Sequence, residues 1–466
     1  MIEINNVSFR YSGGTENSIE DISLRINDGE CVVLTGESGC GKTTVTRLIN
    51  LLIPRFYEGQ LKGEVIIDGV NINILEPHHL SEKVGSVFQN PRSQFFSLDS
   101  DSEIVFGMEN AGISRDEMRR RYSDVVENLG ISKLCGRKLF KMSGGEKQMV
   151  AFASVCTLKP SIYVLDEPTA NLDMEAVEEL RKLISKEKER GNTIIISEHR
   201  LFFLRDIADR VIVMDKGRIK NDFRMSELKT MEKEEYKKLG IRSLEPETIN
   251  VPVLRRLPKA SLISKKTDDN TIEVRNLKIG YEPGRPVLDK ISFAAEPGEI
   301  IGIIGRNGCG KSTMARTLSG LMKELGGNIS CRGGTPYMVM QDADYQLFSD
   351  SVTEELKRTD KGHDSEAVRR MMDNLGLDAY KERHPMSLSG GQKQRIAIGV
   401  ASLMDREVII FDEPTSGLDY KNMERVALIL KRLSEKGKTI LLISHDHELI
   451  NKVCDYIYPL GRTDYL

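Results

Sequence analysis

The chain has 466 residues, 29% of them charged and 39% hydrophobic, with a formal net charge of −3. That gives room for two or three domains with ordinary cores, and it excludes a disordered tail and a globally basic nucleic-acid or lipid binder. No apolar run approaches the roughly 18–20 residues of a spanning helix, and the seven scattered cysteines, without a C-x-x-C, predict a reduced cytosolic protein with no disulfide framework or zinc knuckle.

In chain order, MIEINNVSFRY alternates like a strand and does not read as a signal peptide. CVVLTG reads as a buried strand, and TGESGCGKTT (Thr35–Thr44) fits the phosphate-loop pattern G-x-x-x-x-G-K-[ST] before a helix. GEVIIDGVNIN predicts a strand pair, SRDEMRRRYSDVVENLG a polar helix, and MSGGEKQMVAFASV a helix capped by Ser143. SIYVLDEP and NTIIISEH are two further apolar strands, and KGRIKNDF finishes the sheet. MSELKTMEKEEYKKLG predicts a short exposed helix with Ser226 as cap and Gly240 at its end. Residues 246–270 hold three prolines and little helical period, so they read as a linker between a first domain at 1–245 and a second at 271–466.

The second domain repeats the first. Lys42 matches Lys311 at an offset of 269, Gln89 matches Gln341 at 252, and Ser143, Asp166 and His199 match Ser389, Asp412 and His445 at 246. The offset shrinks by 23, mostly before Gln341, where the second copy reduces the strand pair to GGNISCRGG. Strands that are apolar on both faces and alternate with helices indicate a mainly parallel sheet covered by helices. The expected fold is α/β: two tandem P-loop nucleotide-binding domains, each with a helical subdomain and a small antiparallel β subdomain, reduced in the second copy.

The chemistry follows from these motifs. Gly36, Gly39 and Gly41 let successive N–H groups point inward as an anion nest, and the following helix adds its positive end. Lys42 is placed to reach the β/γ oxygens of a nucleotide, Thr43 to ligate Mg²⁺, and Thr44 to line the ATP site. Gly305, Gly308, Gly310, Lys311, Ser312 and Thr313 are their counterparts. Asp166 and Asp412, at strand ends, are placed to hold the magnesium directly or through water. Glu167 and Glu413 follow them and can polarise the attacking water. His199 and His445 can hydrogen-bond the γ-phosphate or that water. Gln89 and Gln341 can join the Mg²⁺ or water shell, and Tyr11 and Tyr281 can stack on adenine. Ser143, Gly144 and Gly145, with Ser389, Gly390 and Gly391, open helices and form a second anion site in each copy. Each half already has a phosphate loop, so this second site is expected to complete the nucleotide pocket of the other half.

The order of Walker A loop, glutamine loop, SGG-Q/E signature, Walker B with its D-loop (ANLD, SGLD) and histidine loop resembles the ATP-binding cassette (ABC) ATPases, twice, over almost the whole chain. The resemblance implies ATP and Mg²⁺ as cofactors and a head-to-tail pairing of cassettes. In that pairing Lys42, Asp166, Glu167 and His199 would face Ser389, Gly390 and Gly391, while Lys311, Asp412, Glu413 and His445 would face Ser143, Gly144 and Gly145.

In finer detail, QNPRSQFF and QDADYQLF resemble the stretch after the glutamine loop in energy-coupling factor (ECF) importers. Arg92 stands where that family usually has an acid, and Asp344 keeps the acid. Glu146 replaces the usual signature glutamine, and Gln392 retains it. This resemblance implies a peripheral ATPase on the cytoplasmic face of the membrane, powering uptake of a vitamin or metal ion. Its partners would be a transmembrane scaffold subunit, whose arginine-bearing cytosolic helix enters the groove beside the glutamine loop, and a substrate-binding membrane subunit; no nucleic acid is expected. The rival expectations are a tandem ABC protein acting on ribosomes, which usually has a long charged helical linker and a basic surface, and a sugar-importer tandem ATPase, which usually has a degenerate cassette.

Overall fold

A computed structural model describes residues 1–170, 172–256, 271–358 and 365–461. The chain divides into two compact units, Met1–Pro246 and Glu247–Leu466.

In the first unit a six-stranded sheet runs in the order Arg218–Arg224, Arg210–Asp215, Cys31–Gly36, Thr193–Ser197, Ile162–Asp166, Val84–Val87. All neighbours are parallel except the Arg218–Arg224 edge. Every residue of Cys31–Gly36, Ile162–Asp166 and Thr193–Ser197 is buried, as a sheet covered on both faces requires. The side chains alternate between two cores. Val33, Tyr163, Leu165, Ile194 and Ile196 pack toward the helix Gly144–Cys156. Val32, Leu34, Val164 and Ile195 pack toward a four-stranded sheet that includes Ile2–Tyr11 and Gly59–Ile67. The register places Leu34 and Asp166 on either side of Ser197, so three strands end at one level. Ligands of parallel α/β sheets bind beyond such carboxyl ends.

The second unit repeats this plan with five parallel strands, in the order Tyr337–Val339, Val408–Asp412, Thr439–Ile443, Ile300–Ile304, Tyr456–Pro459. Ile303 and Asp412 flank Ile443 at the same level. Its antiparallel sheet has three strands, and the Gly326–Cys331 strand stands alone where the first unit has Gly59–Ile67 and Val70–Asn71. The shrinking offset therefore has its structural counterpart in the lost strand.

Two local expectations change. The 225–240 stretch forms two helices, Met225–Thr230 and Lys233–Lys238, with an extended Met231 between them. Ser226 falls inside the first helix, behind Arg224 at the cap position, and Met225, Leu228 and Tyr236 are buried in the core. Packing these three side chains overrides the single helix that local propensity suggests. The second change concerns the linker. Its residues 257–270 lie outside the described ones, but 247–256 dock on the second unit. Leu254 N donates to Ile457 O at 2.8 Å and Ile457 N to Pro252 O at 2.9 Å. Asn451 binds Asn250 N and Thr248 O, and Ile249, Val251 and Val253 pack on Ile457.

Candidate phosphate and magnesium sites

The phosphate loop joins the end of Cys31–Gly36 to the helix Lys42–Ile49. Gly36 and Gly41 have positive φ, and a Cβ on them would meet Met214 O at 2.1 Å and Ile19 Cγ2 at 2.7 Å, so only glycine allows this close approach. At Gly39 a Cβ would meet nothing within 4 Å, which leaves the concave side open. Lys42 is buried, and its ammonium donates to Gly36 O at 3.1 Å and Glu37 O at 3.2 Å. In the second unit Lys311 donates to Gly305 O at 2.7 Å and Arg306 O at 3.0 Å, and Gly308 has the same open side. Each loop thus presents its lysine beside a glycine-made cradle, an arrangement built for phosphate.

The strand register brings the carboxylates to this loop. Thr43 Oγ1 donates to Asp166 Oδ1 at 3.3 Å. Burial, aided by the neighbouring Glu167 charge, pushes the Asp166 carboxyl up to about 6. Burial raises Asp412 as well, against the opposing pull of a Ser312 hydrogen bond and the Lys311 charge. Two buried carboxyls held out of their ordinary range beside a hydroxyl fit a divalent cation that would restore the charged form. Among the described residues no three His, Cys, Asp or Glu side chains cluster as a cage. Magnesium matches that donor set, because it is commonly held by one or two carboxylates together with substrate phosphates.

Glu167 and Glu413 have φ of 44° and 51°, a left-handed backbone that costs a non-glycine residue on the order of 1–3 kcal/mol. Both are held there by their own N–H groups, which donate to Ser197 O and Ile443 O. The Glu167 carboxylate accepts from Gln89 Nε2 at 2.6 Å and lies 3.4 Å from His199 Nε2. Glu413 lies 3.7 Å from His445 Nε2, which is also 3.1 Å from Asn307 Oδ1 of the phosphate loop. The glutamates and histidines expected from the sequence therefore meet in both units, with Gln89 turned to the glutamate rather than to Asp166. Tyr11 and Tyr281 reach the loops through their hydroxyls, 3.3 Å from Thr44 Oγ1 and 3.1 Å from Thr313 Oγ1. The Tyr281 ring is 66% exposed, whereas Tyr11 packs edge-on against Phe9 and Tyr57.

A family model described as "ABC transporter" matches residues 19–170 and 288–416. A putative ABC transporter ATP-binding protein of Treponema denticola is 46% identical, covering 99% of this chain and 95% of its own length. The chain belongs to the ABC transporter family. It carries two tandem ABC ATPase cassettes, which bind ATP with Mg²⁺ and hydrolyse it. A second Treponema denticola protein of the same description is 38% identical, over 98% of this chain and 94% of that one. Among solved structures, an archaeal ribosome recycling factor, aABCE1, in complex with a ribosomal stalk protein, has a TM-score of 0.65 at 20% identity, covering 99% of this chain and 88% of that one.

The signature segments of the two ABC cassettes differ. The Ser143 hydroxyl accepts from Glu146 N at 3.2 Å, and the Glu146 carboxylate accepts from Ser143 N at 2.9 Å and from Arg137 at 2.5 Å. Burial would raise this carboxyl, but Arg137 and the Ser143 N–H outweigh it and hold Glu146 below the usual carboxylate range. Gln392 makes the corresponding bond to Ser389 N at 2.9 Å without charge. Gly144 and Gly390 are exposed. Gly145 is buried; a Cβ there would lie 3.3 Å from Ala176 Cβ. Among the described residues no hydrogen bond joins Ser143 or Ser389 to the phosphate loop of its own unit.

Two sets of supporting residues stand behind the expected site residues. Gln94 and Gln346, five residues past the expected Gln89 and Gln341, staple the loop to its strand. Gln94 bonds Phe88 N and Ser86 O; Gln346 bonds Met340 N and Met338 O. The second set ties the Walker B turn to the histidine loop. Buried Thr169 donates its hydroxyl to Glu198 at 2.8 Å, and Glu198 also accepts from His199 N and Arg200 N. In the second cassette Thr415 donates to Asp446 at 2.8 Å. The acid stands just before the histidine in one cassette and just after it in the other, yet it reaches the equivalent threonine. Identity at aligned positions conceals this exchange.

Two predictions arise here. Glu198→Ala strips the acceptor from a buried hydroxyl and three N–H groups, so the first unit should lose about 1–3 kcal/mol or more in urea unfolding. Glu198→Gln, which keeps one acceptor oxygen, should lose less. For Asp166, the folded carboxyl binds its proton more tightly than the unfolded one, so its charged form opposes folding. Metal-free stability should therefore fall as pH rises from about 4 to about 6 and then level. Asp166→Asn should remove that component and stabilise the first unit at pH 7 in EDTA, on the order of 1–3 kcal/mol. Equal wild-type and variant pH profiles would contradict it.

Proposed function

We propose that the chain is the ATP-hydrolysing subunit of an ECF-type importer, coupling ATP turnover at two composite sites to uptake of a vitamin or metal ion through separate membrane subunits. The observation that carries this reading is that both cassettes retain a phosphate-loop lysine, a strand-end aspartate, and a glutamate beside a histidine. Two complete hydrolytic sets argue against a tandem sugar-importer ATPase with one degenerate cassette. In this reading Lys42 and Lys311 bind the β/γ oxygens. Thr43, Gln89 and Asp166, with Ser312, Gln341 and Asp412, hold Mg²⁺. Glu167 and Glu413 polarise the attacking water, His199 and His445 orient it or the γ-phosphate, and Tyr11 and Tyr281 stack on adenine. Ser143, Gly144 and Gly145 complete the site of the second unit, and Ser389, Gly390 and Gly391 that of the first. Thr44 and Thr313 position the tyrosines through their hydroxyls.

Support for a transport role comes from the description of the 46% identical relative as a transporter ATP-binding protein. No described helix is long and apolar enough to cross a membrane, and this reading assigns the membrane-spanning parts to separate subunits. The second reading is action on ribosomes, which the description of the archaeal recycling factor raises. The test is affinity purification of the tagged chain from detergent-solubilised membranes, with ribosome cosedimentation in parallel. Stoichiometric recovery of multi-spanning subunits that stimulate ATP turnover supports the importer. Nucleotide-dependent cosedimentation without them supports the ribosome reading.

A further inference from the structure

The two hydrolytic sites carry the same glutamate and histidine but tie them down differently. In the first unit Glu198 precedes His199 and accepts its backbone N–H at 2.8 Å. In the second unit Ser444 stands before His445, and the acid, Asp446, follows it. The His445 N–H donates instead to Glu413 Oε2, at 3.2 Å. A second difference lies in the phosphate loops, where Ser38 and Asn307 hold the same place ahead of Lys42 and Lys311. Asn307 Oδ1 is 3.1 Å from His445 Nε2. In the first unit the Nε2 of buried His199 has no hydrogen-bond partner among the described residues, although Glu167 Oε1 lies 3.4 Å away. The Glu167 carboxylate accepts from Gln89 at 2.6 Å.

These contacts define the protonation of the second histidine. Which ring nitrogen of a neutral imidazole carries the proton is set by what each nitrogen faces. His445 Nε2 faces Asn307 Oδ1 and, at 3.7 Å, Glu413 Oε1. An ionised carboxylate only accepts, so Nε2 carries the hydrogen and Asn307 Oδ1 accepts it. The chain of contacts runs from the phosphate loop through the ring to the glutamate, and the backbone N–H of the same histidine closes it. A serine at position 307 would be one bond shorter and would offer a freely rotating hydroxyl in place of a fixed carbonyl oxygen.

We propose that Asn307 is a positioning residue of the second hydrolytic site, without a counterpart in the first. It holds the His445 ring as the Nε2–H tautomer, directed at the phosphate loop before nucleotide binds. The donor that orients the γ-phosphate or the attacking water is then set in advance. In the first site the ring of His199 takes its direction only when nucleotide arrives. Preorganisation of a group that acts in the reaction raises rate more than ground-state affinity, so the two sites differ in turnover for a reason built into one loop residue. The proposal rests on the role given above to His445, and it holds for an importer and for a ribosome-acting ATPase alike.

Asn307→Ser gives the second loop the residue of the first. In the full chain carrying Glu167→Gln, which isolates the second site, it should lower kcat roughly three- to tenfold. KM for ATP and affinity for ADP should stay within about twofold, because the loop itself is kept. Added to His445→Ala it should cost nothing more, since a residue acting through the histidine is silent without it. The nucleotide-free chain supplies a readout apart from activity. Long-range nitrogen–proton correlation spectra of isotope-labelled histidines, at about pH 8 where an ordinary imidazole is neutral, should show His445 as the Nε2–H tautomer, assigned by its loss in His445→Gln. Asn307→Ser should give averaged tautomers, and Asn307→Asp, which keeps an acceptor, should retain Nε2–H. An unchanged spectrum in Asn307→Ser, or a loss of turnover that multiplies with that of His445→Ala, would overturn the proposal. Impaired His445→Ala beside unimpaired Asn307→Ser would remove Asn307 alone. Wild-type turnover from His445→Ala would remove the histidine from the chemistry, and the proposal with it.

Discussion

Glu167→Gln and Glu413→Gln should each leave ATP binding intact and slow hydrolysis at their own site by roughly 10²–10⁴. The change removes the water-polarising carboxylate but keeps the shape of the side chain. The geometry makes this a sharp test. Each glutamate is held at positive φ by an N–H bond to the neighbouring strand and faces a histidine. An amide can still contact Gln89 and His199 but cannot serve as a base at neutral pH. The double variant should bind two ATP per chain and hydrolyse neither, which filter binding and phosphate release measure directly. Wild-type turnover in the double variant would remove both glutamates from the chemistry. If one single variant turned over like wild type and the other fell to background, the two sites would be unequal.

The two units made separately, 1–246 and 247–466, should each bind ATP but hydrolyse it slowly, and mixing them should restore turnover. Each has its own cores and its own phosphate loop. What each lacks in the composite-site reading is the serine and helix N-terminus of the other unit's signature. Removing oriented donors from a phosphoryl-transfer site costs roughly 10²–10³ in rate. Turnover should therefore rise steeply with concentration in the mixture. Full activity from one unit, shown by sedimentation to be monomeric, would refute the shared site.

These expectations were legible in the sequence where one contiguous stretch carries both the backbone geometry and the chemistry. GESGCGKT specifies its own loop, because glycine alone tolerates the positive φ and the close approach of Met214 O at Gly36. The repeat, the parallel sheets and the shrunken β subdomain also followed from local pattern and spacing. Only the tertiary structure decided which distant side chains meet. Thr169 and Glu198 are 29 residues apart, and Thr415 finds its acid on the other side of the histidine. Asp344 reads as an available acid until the fold brings Lys393 to it. The 225–240 segment reads as one exposed helix until the core claims Met225, Leu228 and Tyr236. Residues 247–256 read as linker until Ile457 offers them a strand to pair with. Local sequence fixes backbone preference and reactive groups. The pairing of buried polar groups depends on chain-distant contacts, whose free energy, about 1–3 kcal/mol each when a buried partner is at stake, exceeds the fractions of a kcal/mol in local propensity.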